Sequence, residues 1–241
     1  MNSYKNISLV YDLFTGNVKY KKRTKHLLKL FNRFDRKPTL LLDLACGTGN
    51  FSFEFAKRGI DVIGVDMSED MLSIAMSKNS NNQVMFLNQK GEELELFGTV
   101  DGAVCCLDSL NHITDYQTFK TCISKVSLFL EPQRLFIFDV NTPYKHESVL
   151  GNNTFSLKKR GVSCIWTNKF SKEDNMVEST LDITVKNATY REIIREKAYT
   201  NEEINMALKE AGLETLAVYE ENTFKAPKEK SQRIVFVTRK V

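Results

Sequence analysis

Thr39 to Ser52 reads TLLLDLACGTGNFS. The greasy run from Thr39 to Ala45 predicts a strand buried on both faces. Gly47 and Gly49 then make a turn in which the backbone can approach a ligand closely. From Asn50 to Lys57 the spacing is helical, and Gly59 stands just past the end. Strand, glycine turn and helix together form a nucleotide site, with the ligand outside the carboxyl end of the strand. Asp43, four residues before Gly47, is the unexpected member. A carboxylate there would repel a pyrophosphate.

Outward from this stretch, strands and helices alternate. A helix is expected from Lys21 to Phe34, stopped by Lys37-Pro38. Further strands are expected at Asp61–Asp66, Val84–Asn88, Asp101–Leu107 and Leu135–Val140, with Ser68 capping one intervening helix and Tyr116–Leu130 forming another. Alternation of this kind gives a parallel sheet covered by helices on both faces. After Asn141 the pattern changes. VSCIWTNKF, MVESTLDITV and TYREIIREKAYT are rich in β-branched and aromatic residues, and the breaks between them are turn-like. They predict a small antiparallel sheet inserted into the main fold. A helix at Asn201–Ala211 and strands at Glu214–Glu220 and Arg233–Thr238 then resume the alternation. The expected division is residues 1–140 and 201–241 as the ligand-binding domain, and residues 141–200 as a β-rich cap walling the acceptor pocket.

Composition is that of an ordinary globular chain: 241 residues, 42% hydrophobic, 27% charged, net charge +4. Neither a membrane span nor a signal-peptide pattern is visible, so a cytoplasmic location without membrane attachment is expected. The five cysteines include no CxxC pair and the three histidines have no ligand spacing, so no metal is expected. The basic clusters at Lys21-Lys22-Arg23 and Lys158-Lys159-Arg160 read as solvated faces, and nucleic acid is not expected as a partner.

Three ligands compete for the glycine turn. A P-loop needs a lysine and a hydroxyl residue after its last glycine, and none follows Gly49. A dinucleotide prefers a third glycine or alanine where this chain has Ser52. S-adenosylmethionine carries no phosphate. Its sulfonium and amino group favour carboxylates, which suits Asp43, and its ribose suits Asp66 at the end of the second strand.

DLACGTGNFS resembles the first motif of class I S-adenosylmethionine-dependent methyltransferases. VIGVDMSEDML is similar to the second, and VDGAVCCLDSLNHI to the region of the fourth strand. YKNISLVYDLF and SQRIVFVTRK resemble a bacterial small-molecule-type subgroup. The resemblance implies an α/β, Rossmann-like seven-stranded sheet whose last strand is antiparallel, with S-adenosylmethionine as cofactor and S-adenosylhomocysteine as product. It implies that Asp43, Ala45, Gly47 and Gly49 line the methionine side, that Asp66 binds the ribose and that Met67 packs on the adenine. Leu107 and Asp108 would face the methionine part and the methyl group. Tyr4, Tyr11 and Tyr20 would close over the cofactor as a lid.

Lys90 stands where the family often has an acid for the adenine amino group, so Gln89 or Gly91 is expected to serve instead. Asp108, His112 and His146 are candidates for a general base. Asn141 to Tyr144, NTPY, reads as the exit into the cap, and Trp166 as cap core. The acceptor is expected to be a small-molecule oxygen, nitrogen or carbon nucleophile. An RNA or protein methyltransferase, a non-catalytic binder and a dinucleotide enzyme are the alternatives.

Overall fold

The structure, a computed structural model, describes residues 8–241. Tyr4 lies outside them. Seven strands form one sheet. They are β1 (Leu40–Leu44), β2 (Asp61–Asp66), β3 (Val84–Asn88), β4 (Gly102–Cys105), β5 (Leu135–Asn141), β10 (Leu213–Glu220) and β11 (Arg233–Lys240), in the order β10-β11-β5-β4-β1-β2-β3. Pairings from β3 through β5 are parallel, and β11 is antiparallel to both β5 and β10. Four further strands, β6 (Thr154–Lys159), β7 (Val162–Ser171), β8 (Met176–Val185) and β9 (Ala188–Lys197), make an antiparallel sheet inserted after β5.

Helices α1 (Ser8–Phe14), α2 (Tyr20–Phe34), α3 (Asn50–Ala56), α4 (Glu69–Lys78), α5 (Tyr116–Phe129) and α6 (Asn201–Glu210) complete the chain. β1 and β5 are apolar on both faces because the sheet is covered on both. Leu27, Leu30, Phe31 and Phe55 from α2 and α3 pack on one face, and Phe119, Ile123, Val126 and Ile204 from α5 and α6 on the other. As expected, Ser68 Oγ caps α4 by accepting from the Met71 N–H (3.3 Å).

The sequence reading extended the fourth strand to Leu107, but β4 ends at Cys105. Leu107 and Asp108 take left-handed φ angles of 59° and 54°. Their N–H groups instead donate to the Asp139 carboxylate on β5, at 3.0 and 2.7 Å. The inserted sheet has four strands where the pattern indicated three. β6, TFSLKK, is an edge strand with almost no buried residue, so it carries no clear alternation.

Candidate functional site

The site lies above the carboxyl ends of β1, β2 and β4. Between β1 and α3 the chain makes left-handed turns at Ala45 (φ 56°), Gly47 (φ 55°) and Gly49 (φ 76°). The two glycines do different work. A Cβ on Gly47 would meet nothing within 4 Å, whereas one on Gly49 would press on Phe86 and Phe53. Gly47 borders open space, and Gly49 packs against the protein. Asp66 ties the turn to β2. Its Oδ2 accepts from the Gly47 N–H (2.7 Å) and its Oδ1 from the Ser68 N–H (2.9 Å). Burial raises the Asp66 carboxyl above its ordinary pKa, against the pull of these two donors.

Two adjoining cavities open here. The larger spans about 880 Å³, part of it open to solvent. Ala45, Gly47, Asp66, Met67, Gln89, Gly91 and Leu107 lie on its wall. Asp43 lines the smaller cavity with Tyr20, Thr48 and Asn50, and Tyr11, Ala45, Gly47 and Leu107 border both. Burial pushes the Asp43 carboxyl up to about 7, although Ser52 Oγ donates to it at 2.5 Å.

At the far end of the larger cavity, Lys90 turns away and pairs with Glu93 (2.8 Å). The Gln89 amide is held by the backbone of Glu95, donating to its carbonyl (3.2 Å) and accepting from its N–H (3.0 Å). Glu92, which the sequence reading missed, lines the cavity. A Cβ on Gly91 would fall 2.6 Å from Cys122 Sγ, which fixes the short turn that carries Glu92. His112 lies on the same wall, near enough to favour the charged form of Asp66.

Helix α1 is docked. Asp12 on α1 accepts from Thr48 Oγ1 (2.6 Å), Asn50 Nδ2 (2.8 Å) and Lys78 Nζ (2.9 Å), which pins α1 to the glycine turn. Val10 packs with Met71 and with Val162, Cys164 and Ile183 of the inserted sheet. Tyr11 thereby sits over both cavities. Burial, with Tyr20, Asp108 and Asp66 close by, raises its phenol well above the usual range, so it stays a hydrogen-bond donor.

Asp108 departs from expectation. It lines neither cavity. Its carboxylate accepts from Arg233 (2.6 Å) and from the Asn141 amide. Asn141 is the hub of a buried polar cluster at the root of the insertion. Its Nδ2 also donates to Glu196 (3.1 Å), and its Oδ1 accepts from Lys145 Nζ (2.8 Å) and Arg233 Nε (3.3 Å). A π-helical turn, Lys145–Leu150, brings in His146, whose fully buried ring places Nε2 3.3 Å from Glu196.

Burial would raise the Glu196 carboxyl, but His146, His112 and Lys145 outweigh it and hold it low. Burial would likewise lower Arg233, but Asp108, Asp139, Glu221 and Glu196 keep it charged. Burial holds the Lys145 ammonium below its ordinary range. Asn111 braces the cluster, donating to the Lys197 carbonyl (2.8 Å) and accepting from the Asn141 N–H (2.9 Å).

Residues 41–133 match the family model described as a methyltransferase domain. YqeM of Bacillus subtilis (strain 168), provisionally named a methyltransferase, is 30% identical over 98% of this chain and 97% of its own length. A crystal structure of an S-adenosylmethionine-dependent methyltransferase from Clostridium acetobutylicum ATCC 824 superposes with TM-score 0.86 at 30% identity, covering 99% of each chain. The fold is also that of CalS10, an amino pentose methyltransferase from Micromonospora echinaspora solved with its cofactor (TM-score 0.78, 18% identity, 97% of each chain). The cofactor-side geometry, the sheet order and these relatives agree: the chain belongs to the class I S-adenosylmethionine-dependent methyltransferases.

Proposed function

We propose that the acceptor is a small molecule with an oxygen, nitrogen or carbon nucleophile, methylated in a chamber formed by the β1, β2 and β4 loops, α1 and the insertion. The observation that carries this reading is α1. Pinned through Asp12 and packed on the inserted sheet, it carries Tyr11 over both cavities and narrows them to the size of a small ligand. CalS10, which shares the fold over 97% of each chain, is an amino pentose methyltransferase, in keeping with a small acceptor.

The residues fit the cofactor. The space beside Gly47 accommodates a ligand at the backbone. Each Asp66 oxygen accepts one N–H and keeps a lone pair for a ribose hydroxyl. Asp43, beside the smaller cavity, answers a cationic methionine part, and Ala45 and Leu107 border it. Met67 offers a flat apolar contact to the adenine. Glu92 takes the adenine amino group in place of Gln89 and Lys90, whose side chains are engaged elsewhere. When bound, the cofactor supplies an electrophilic methyl group on a sulfonium.

The chain then has to align the nucleophile with that methyl and exclude water. Tyr11 and Tyr20 border the site, and their phenols are available to donate to a ligand. Asp108 acts as a positioning residue through Arg233 and Asn141, because both of its oxygens are engaged. His112, on the cavity wall, remains the candidate base for acceptors that must lose a proton. Residues 141–200 line neither cavity and act on the acceptor side through α1, which packs on the inserted sheet.

A screen with methyl-labelled cofactor against a metabolite library, total RNA and total protein tests the proposal. Label in a small-molecule fraction is expected. Label only in RNA or protein would overturn it.

A further inference from the structure

Helix α2 carries Lys21, Lys22, Arg23, Lys25, Lys29 and Arg33 and no acidic residue, in a chain whose whole excess charge is +4. Its buried face is filled by Thr24, Leu27, Leu30 and Phe31. Lys21, Lys25, Lys29 and Arg33 follow one another at intervals of four on the opposite, exposed face. Their charges therefore repeat about every 6 Å along one stripe. Like charges four residues apart destabilise a helix. Most lysines on the other helices are paired, as Lys57 with Glu54, Lys120 with Glu210 and Lys125 with Glu95, with Lys209 the exception among the described residues. Among the described residues, none of the four in the stripe has an acidic partner. A helix that keeps unrelieved repulsion along its solvent face is built for something outside the chain.

Two further observations bear on what that is. The loop between β10 and β11 lays Phe224 across this face, with its ring 4.8 Å from His26 and 5.3 Å from the Arg33 guanidinium. Phe224 remains 41% exposed, and exposed Lys225 follows it. Burial first, then Lys29 and Lys22, push the His26 ring below its ordinary pKa. The apolar side of α2 is fully used by the core, so the helix has no hydrophobic face to insert into a bilayer.

We propose that the exposed face of α2, with Phe224 and Lys225, docks a single-stranded phosphodiester chain. The lysine and arginine stripe would track the phosphates, and Phe224 would offer a stacking platform for a base. The surface starts next to Tyr20, at the mouth of the site, but does not depend on what the methyl acceptor is. In the linear sequence only Lys21, Lys22 and Arg23 stand together, and they read as a solvated face; the helix adds Lys25, Lys29 and Arg33 to the side that Lys21 starts.

Fluorescence anisotropy with labelled single-stranded RNA and DNA of about 20 nucleotides tests this, with phosphatidylglycerol vesicles as a third arm. Neutralising four phosphates gives a log–log salt slope near −3, so affinity should fall about 50-fold between about 50 and 200 mM salt. Lys25→Glu combined with Lys29→Glu should weaken binding more than tenfold and flatten the slope. The new glutamates sit four residues from Lys21 and Arg33, so the variant should melt no lower than the wild type and keep its S-adenosylhomocysteine affinity. Phe224→Ala should weaken binding several-fold at unchanged slope. Equal affinity for RNA and DNA supports backbone recognition, and tighter RNA binding supports it with RNA as the source. Absence of salt-dependent oligonucleotide binding, undiminished binding by the double variant, or binding to vesicles alone would overturn the proposal.

Discussion

The two ends of the site are built in different ways. At the glycine turn the polar groups are local and face a cavity: Asp43, Gly47 and Asp66 come from two neighbouring strands and the loop between them. At the root of the insertion the polar groups face each other. Asp108, Asn141, Glu196 and Arg233 close a buried network in which the Arg233–Asp108 pair joins residues 125 positions apart. The first arrangement leaves bonding capacity for a ligand. The second spends most of its capacity on fixing where the inserted sheet meets the main one. We read the first as the seat of the cofactor and the second as the frame that sets the acceptor wall.

The sharpest break in that comparison comes from Arg233. Its side chain is 13% exposed and faces Asp108, Asp139 and Glu221. Replacing it with Met removes the buried cation that these carboxylates share and leaves Asp108 and Asp139 with only neutral donors, and urea unfolding should show a loss of about 3–5 kcal/mol. A loss below 1 kcal/mol would mean that the network does not hold the frame. Gly47→Val should do the reverse. The left-handed backbone costs about 1–3 kcal/mol of stability for a β-branched residue, yet the side chain projects into open space, so the fold survives while calorimetric binding of S-adenosylhomocysteine disappears.

A pH series sharpens the cofactor end. The Asp43 carboxyl has a folded-state pKa of about 7, raised from 3.8 by burial. In the cofactor-free protein its contribution to stability is full below about pH 4 and is lost as pH rises through 7. Binding runs the other way. A cationic ligand needs the ionised carboxylate, so affinity should rise about tenfold per unit up to pH 7 and level off above it. Asp43→Asn should flatten that profile, and an unchanged profile would remove Asp43 from the site. A smaller effect is expected from Glu92→Ala. One partly exposed hydrogen bond to the adenine amino group is worth about 1 kcal/mol, or about fivefold in affinity. Gln89→Ala should cost less, because that amide already bonds the Glu95 backbone.

What the sequence revealed follows the same division. The turn from Thr39 to Ser52, the strand ending at Asp66 and the Ser68 cap are local patterns, and the structure has them where the residues indicate. Asp108 reads as facing the methyl group, but its orientation depends on Arg233 far along the chain and on two left-handed residues after Cys106. A visible signal went unused: Asp139 is the single acid in the apolar strand LFIFDV, and its carboxylate holds the Leu107 and Asp108 N–H groups. Asn141 read as an exit residue and is one, since the chain leaves β5 there, but its amide also joins the insertion to the main domain. Helix α1 is a seven-residue piece whose apolar side packs against the inserted sheet and α4, so periodicity alone does not reveal it.

The division of labour is tested most directly by titrating S-adenosylhomocysteine calorimetrically into the wild type, Asp66→Ala and Glu196→Gln under identical conditions. Asp66 is assigned to the cofactor and Glu196 to the frame. The account predicts a loss of about 1.5–3 kcal/mol of binding free energy, roughly 10- to 150-fold, for Asp66→Ala. It predicts wild-type affinity for Glu196→Gln, which keeps an oxygen for the Asn141 amide. Equal losses in both variants, or an Asp66→Ala protein that binds as tightly as the wild type, would contradict it.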